Sequence, residues 1–198
     1  NNHYAAQTFS DVADGRRICI AWNRNQVFPR APFQGQMSLP LELTLRSRGK
    51  EIDLCAMPVA EVNSLAAETE TLRNVECSAQ KPLVLPLLPA AYRVTLELGS
   101  AASNFTLRLF GQPVQVEGEK NMVTVGGSSF PLSMGGSDRR LTLVADSCSV
   151  ELFSGEGQAI MTASMLCDYN TNQLILSSQS PVTLESLTVS RLLPTVHY

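Results

Sequence analysis

Imidazole is nearly missing from this chain of 198 residues, since its only two histidines, His3 and His197, lie next to the two ends. A Ser or Cys nucleophile needs a base within hydrogen-bond reach, and no G-x-S-x-G turn occurs, so no hydrolase triad is read. Aromatic residues make up 6%. Those with a polar handle, Trp22, Tyr4, Tyr92, Tyr169 and Tyr198, are too scattered to form an evident flat platform for sugars. Basic charge is equally thin: the net charge is −3 and the pI about 5.4, with Lys and Arg scattered rather than gathered in blocks. That leaves no field for a phosphate backbone or an anionic lipid surface, and neither nucleic acid nor membrane is expected as a partner. The richest apolar stretch, Pro82 to Ala91, is cut by Pro86 and Pro89, well short of the roughly 20 residues of a spanning helix. Cys19, Cys55, Cys77, Cys148 and Cys167 are odd in number and lack the C-x-x-C spacing of metal or redox sites, so they read as buried free thiols. No cofactor or metal is implied.

What the chain does have is alternation. Leu41, Leu43 and Leu45 alternate with Glu42, Thr44 and Arg46; Val94, Leu96 and Leu98 alternate with Thr95 and Glu97; Leu107 and Leu109 flank Arg108. Leu141, Leu143 and Ala145 run into Asp146-Ser147-Cys148 and then Val150 and Leu152, which predicts a hairpin. Val182 and Leu184 are out of step with Leu187 and Val189, which predicts a bulge or bend near Glu185-Ser186. Gly126-Gly127, Gly135-Gly136 and Gly155-Glu156-Gly157 fall between runs, where turns need positive φ. The only helical spacing, Val59, Val62 and Leu65 after Pro58, predicts a turn or two of connector. Ten or more such strands require two packed sheets to hide their oily faces. Strands over Tyr4 to Phe9 and Arg16 to Trp22 are joined by Asp14-Gly15. A Pro-interrupted tract, Phe28 to Phe33, follows and reads as a linker or hinge. The opening Asn1-Asn2-His3-Tyr4, with neither Met nor an apolar leader, reads as the middle of a longer protein.

The carboxylates give no paired acid and nucleophile of the kind retaining glycosidases hold about 5–5.5 Å apart. Glu42, Glu97 and Glu151 occupy the polar phases of strands and are expected on solvated faces. Asp146 interrupts an apolar strand before a turn, where it is expected to cap backbone donors. Asp168, Asn170 and Asn172 imitate the start of a calcium loop, but Gln173 and Gln179 stand where Gly and Glu are needed, so a polar turn is expected. Asn104-Phe105-Thr106 is a sequon inside a strand and is treated as chance.

Four segments, in order, are similar to glycoside hydrolase family 32. They are Tyr4-Ala5-Ala6-Gln7-Thr8-Phe9 with Gly15-Arg16-Arg17-Ile18 and Ala21-Trp22; Gly35-Gln36-Met37-Ser38-Leu39-Pro40 with Leu41 in place of the usual Arg; Pro58 to Leu65; and Leu141 to Gly157. The resemblance implies an all-β chain. A short remnant of the last blade of a five-bladed β-propeller and a linker, 1–33, would precede a two-sheet antiparallel, jelly-roll-like β-sandwich, 34–198. It also implies that the catalytic motifs W-x-N-D-P-N-G and R-D-P belong to earlier blades and are absent here. Glu76-Cys77 spells the family's E-C but lies past the propeller exit, and no catalytic residue is assigned. Gln7 and Trp22 are the residues the resemblance places near sugar, and only in a full-length parent. The implied role is a non-catalytic module packing on the missing propeller domain of a β-fructofuranosidase-type enzyme acting on sucrose or fructan, with the sandwich as a surface for homodimerisation. A carbohydrate-binding module and a free-standing interaction domain are the competing classes.

Overall fold

The structure, a computed structural model, describes residues 3–24, 35–99, 104–133, 139–166 and 168–194. The Phe28 to Phe33 tract, Gly135-Gly136, Cys167, His197 and Tyr198 lie outside the described residues. Every strand pairing is antiparallel, and short 3-10 turns are the only helical elements among the described residues. No helix there is long and apolar enough to cross a membrane.

The first sheet starts with the expected hairpin, β1 (His3–Thr8) and β2 (Arg17–Asn23), turned at Gly15 with φ 75°. β3 (Gln36–Met37) and β4 (Leu41–Arg48) then pair with β2, and β5 (Glu51–Pro58) pairs with β4. Whereas the sequence reading changes unit at residue 33, hydrogen bonding carries this sheet to Pro58. Leu41 and Leu43 come back into register with Cys19 and Arg17. The alternation in β4 fits either a blade or a sandwich, so only the pairing partner could tell them apart.

The connector Ala60–Leu65 follows as one 3-10 stretch that buries Val62. It leads into two six-stranded sheets. The central sheet holds β6 (Ala66–Cys77), β8 (Ala91–Glu97), β13 (Arg140–Ala145), β14 (Ser149–Ser154), β15 (Ala159–Ser164) and β17 (Val182–Leu192), in the order β15-β14-β13-β8-β17-β6. The outer sheet holds β7 (Leu83–Pro86), β9 (Asn104–Leu109), β10 (Gln112–Glu117), β11 (Met122–Val125), β12 (Ser128–Pro131) and β16 (Gln173–Ser177), in the order β12-β11-β10-β9-β16-β7. Between them, Val94, Leu96, Leu143 and Leu152 meet Leu107, Leu109, Val114 and Leu174, all fully buried in one core. Alternation puts every second side chain on that inner face, and burial of each contributes about 1.5–3 kcal/mol.

The bend expected near Glu185-Ser186 is present and shared by two strands. Leu184 pairs with Val75 and Ser186 with Arg73, while the step between them is skipped and Asn74 takes φ 51°. Both strands change phase together, so Leu184 and Leu187 are both buried without a slip of register.

The central sheet is covered on its other face as well. β14 is buried at every position and β13 from Leu141 to Ala145. Val144 and Phe153 meet Leu41 and Ala56 of the first sheet in a second, smaller core. Gly157 reaches φ 89°, its carbonyl accepts from Ala56 N at 3.0 Å, and a Cβ there would overlap the Ala56 carbonyl. The β4–β5 hairpin then runs past this contact, leaving Leu45, Ile52 and Leu54 more than 60% exposed. Leu143→Ala is therefore expected to lower unfolding free energy by about 2–5 kcal/mol. Leu45→Ala, from an identical sequence pattern, should change it by no more than about 0.5 kcal/mol. Urea denaturation of the two variants checks the contrast.

Candidate functional site

The chemistry-bearing side chains gather in the layer between the first and central sheets. His3, Asn23 and Gln36 lie in register across β1, β2 and β3. Facing them, Glu151 on β14 pairs with Thr162 on β15, and Ser149 lies two residues before Glu151 on the same face. His3 Nε2 is 2.7 Å from Thr162 Oγ1 and 3.9 Å from Glu151 Oε2. Gln36 Nε2 donates to Ser149 Oγ at 2.5 Å, and Leu39 N donates to Glu151 Oε1 at 2.7 Å. Ser38 ties this segment to β2, its hydroxyl accepting from Ala21 N at 3.0 Å. Asp146 caps the β13–β14 turn as expected, with Oδ1 accepting from Cys148 N at 2.9 Å and from Ser149 N at 2.8 Å.

Glu151 corrects the sequence reading: it is 5% exposed, not on a solvated face. The strand's polar phase points into a covered layer. One signal was available, since Phe153 and Val144 share that phase and would be ill placed in water. Burial, with Asp146 adding to it, pushes the Glu151 carboxyl up to about 7 against the pull of the Leu39 N–H. His3 is held below its ordinary value by burial first and by the positive N-terminus second. His3, Asn23 and Gln36 carried no sequence signal as a group, because only the folding of 36 onto 149 brings them together.

Gln7 and Trp22 lie on the opposite, exposed face of the first sheet. Gln7 pairs with Ile20, and Trp22 packs edge-on against Tyr4 at 6.1 Å, with Arg24 4.3 Å above the Tyr4 ring. Glu76 is exposed on β6 of the central sheet, opposite Thr183, while Cys77 is buried in the core. Glu97 is half-buried and bonds Arg140 at 2.7 Å. Glu42 lies 3.8 Å from Arg16, which also binds Glu61 and Asp14. The Arg16 hydrogen bonds bring the exposed Glu61 carboxyl down to about 2. Asp168 forms the expected polar turn, accepting from Asn170 N at 3.0 Å. Cys55 and Cys77 are buried and Cys19 and Cys148 half-buried, and all four are thiols. Burial and Asp146 push the Cys148 thiol up to about 11. Among the described residues, no cluster of three or more His, Cys, Asp or Glu is placed to hold a metal.

This fold, one sheet laid on a two-sheet sandwich, recurs in solved structures of an exo-inulinase and a β-fructofuranosidase. The exo-inulinase of Aspergillus awamori superposes with a TM-score of 0.77 at 18% identity, over 98% of this chain and 44% of that one. The β-fructofuranosidase of Bombyx mori does so with a TM-score of 0.71 at 20% identity, over 100% and 42%. Residues 1–58 match the glycosyl hydrolases family 32 N-terminal domain. A levanase of Bacillus sp. (strain L7) is 28% identical over 81% of this chain and 20% of its own length. For the levanase of Bacillus subtilis (strain 168) the figures are 25%, 94% and 32%. The chain is thus similar to glycoside hydrolase family 32, and it spans only 20% to 32% of the length of these curated relatives.

The raised Glu151 value makes stability depend on pH. The folded state holds this proton more tightly than the unfolded chain, so its contribution is fully present below about pH 4.5 and lost as pH rises through about 7. The expected loss is about 3 kcal/mol. His3 acts oppositely, with stability falling as pH drops below its ordinary 6.5. Glu151→Gln should remove the decline between about pH 5 and 8, as followed by denaturant titration at stepped pH.

Proposed function

We propose that this chain is the non-catalytic sandwich module, with the last propeller blade attached, of a β-fructofuranosidase-type hydrolase whose substrate is sucrose or a fructan such as levan or inulin. The blade is assigned to 3–58 and the sandwich to 66–192. The observation that carries this reading is the joint itself. Two segments that resemble the family, Gly35 to Pro40 and Leu141 to Gly157, meet there through Leu39–Glu151 and Gln36–Ser149, 112 and 113 residues apart. The sandwich thus clamps the blade and keeps it in position. The blade's far face carries exposed Tyr4, Trp22 and Met37, an apolar surface suited to packing on a preceding blade of the same parent. Gln7 and Trp22 act as sugar contacts only once such blades complete a pocket.

A carbohydrate-binding role is the second reading, supported by a depression of ≈930 Å³ on the outer sheet, lined in part by Asn104, Thr106, Gln115, Ser177 and Gln179. Gln115, Thr106 and Ser177 form one row in register across β10, β9 and β16.

The chain is expected to release no fructose from sucrose, levan or inulin, and Glu76→Ala to change nothing; turnover that depends on Glu76 would overturn the leading reading. Calorimetric titration with levan and inulin oligomers should give only heat of dilution, whereas heat abolished by Gln115→Ala would favour the second. Gly157→Ala, which strains the turn and crowds Ala56, should lower unfolding free energy by about 2 kcal/mol or more, seen as an earlier thermal transition.

A further inference from the structure

The joint contains polar atoms that its protein contacts leave unmatched. Asn23 is fully buried, and both its amide nitrogen and its amide oxygen lack a hydrogen-bond partner among the described residues. Glu151 Oε2 is buried and unmatched as well, since His3 Nε2 at 3.9 Å is too distant to donate to it. Native proteins leave very few such atoms, because an unpaired buried amide forfeits its hydration with nothing in return.

Their placement puts them in one layer. Asn23 is the middle member of the row His3, Asn23, Gln36. The outer members are fixed on the central sheet, His3 on Thr162 and Gln36 on Ser149. Glu151 lies between those two anchor points, paired with Thr162 on one side and two residues from Ser149 on the other. Asn23 is thereby held across from Glu151.

The three atoms also state what kind of ligand they accept. Asn23 Nδ2 only donates and Asn23 Oδ1 only accepts, while Glu151 Oε2 accepts when ionised and can donate when protonated. A cation satisfies the oxygens and is repelled by the amide protons; an anion has the reverse fault. A water molecule, donating twice and accepting twice, is complementary to all three. We propose that the joint binds at least one structural water, hydrogen-bonded to the Asn23 amide and to the Glu151 carboxyl, which completes the contact between the first sheet and the sandwich. By rotating, the same water serves either protonation state of Glu151. The other titratable groups around that carboxyl are His3 from β1 and Asp146 from the β13–β14 turn, with the Cys148 thiol bonded to Gln36 beyond them. This inference does not depend on the hydrolase reading.

A crystal structure of the full chain at a resolution that shows ordered solvent tests it directly. The expected result is a density peak about 2.7–3.2 Å from both Glu151 Oε2 and an amide atom of Asn23. A peak with the short, multiple oxygen contacts of a metal ion, or a direct Asn23–Glu151 hydrogen bond with no peak, would overturn it. A second measurement uses Asn23→Ala, Glu151→Ala and the double variant. A shared water couples the sites, so the effects on the unfolding equilibrium constant should depart from a simple product by about fivefold or more. Independent effects would count against the bridge. Should a variant not fold, the diffraction result on the unaltered chain decides alone.

Discussion

Two strands at the middle of this molecule have no side open to water. β13 and β14 are pressed between the outer sheet on one face and the first sheet on the other. The two contacts are built differently. Against the outer sheet the fit is mainly apolar, whereas against the first sheet a small patch around Phe153 and Leu41 is continued by buried polar side chains, Asn23, Ser149, Glu151 and Thr162. Oil on oil binds without specifying register, while hydrogen-bonding groups tolerate only the arrangement that satisfies them. The polar half of the joint therefore sets where the first sheet lies, and the apolar half supplies the attraction.

This division explains what could be read in advance. The inner faces were legible because Val94, Leu96, Leu107 and Leu143 are buried by the same period of two that marks them in the sequence. The phase change at Glu185 was legible for the same reason, although the matching change at Asn74 on β6 was not, since a single Asn carries no periodic signal. The return of β4 to β2 beyond residue 33 was not legible, because proline marks a loop and says nothing about which edge the chain returns to. Glu151 was misread because alternation tells only that two faces differ, and a third layer can cover the polar one. Asp146 was read correctly from its position before a turn.

The similarity to glycoside hydrolase family 32 fits this anatomy. The segments that resemble the family are the ones that hold layers together: Ser38 ties its strand to Ala21, Leu39 feeds its N–H to Glu151, and Asp146 shapes the turn that presents Ser149. The face around Tyr4 and Trp22 takes no part in that joint, and nothing among the described residues buries it.

β17 adds a kinetic consequence. It is the longest-range element of the central sheet, wedged between β8 and β6, with Val182 opposite Cys77 and Leu192 opposite Ala66. Its neighbours are made about a hundred residues earlier and must wait with unpaired edges until it emerges from the ribosome. A sheet completed by threading in its latest strand closes a large loop before any reward, so assembly should be slow and vulnerable to self-association until β17 has docked.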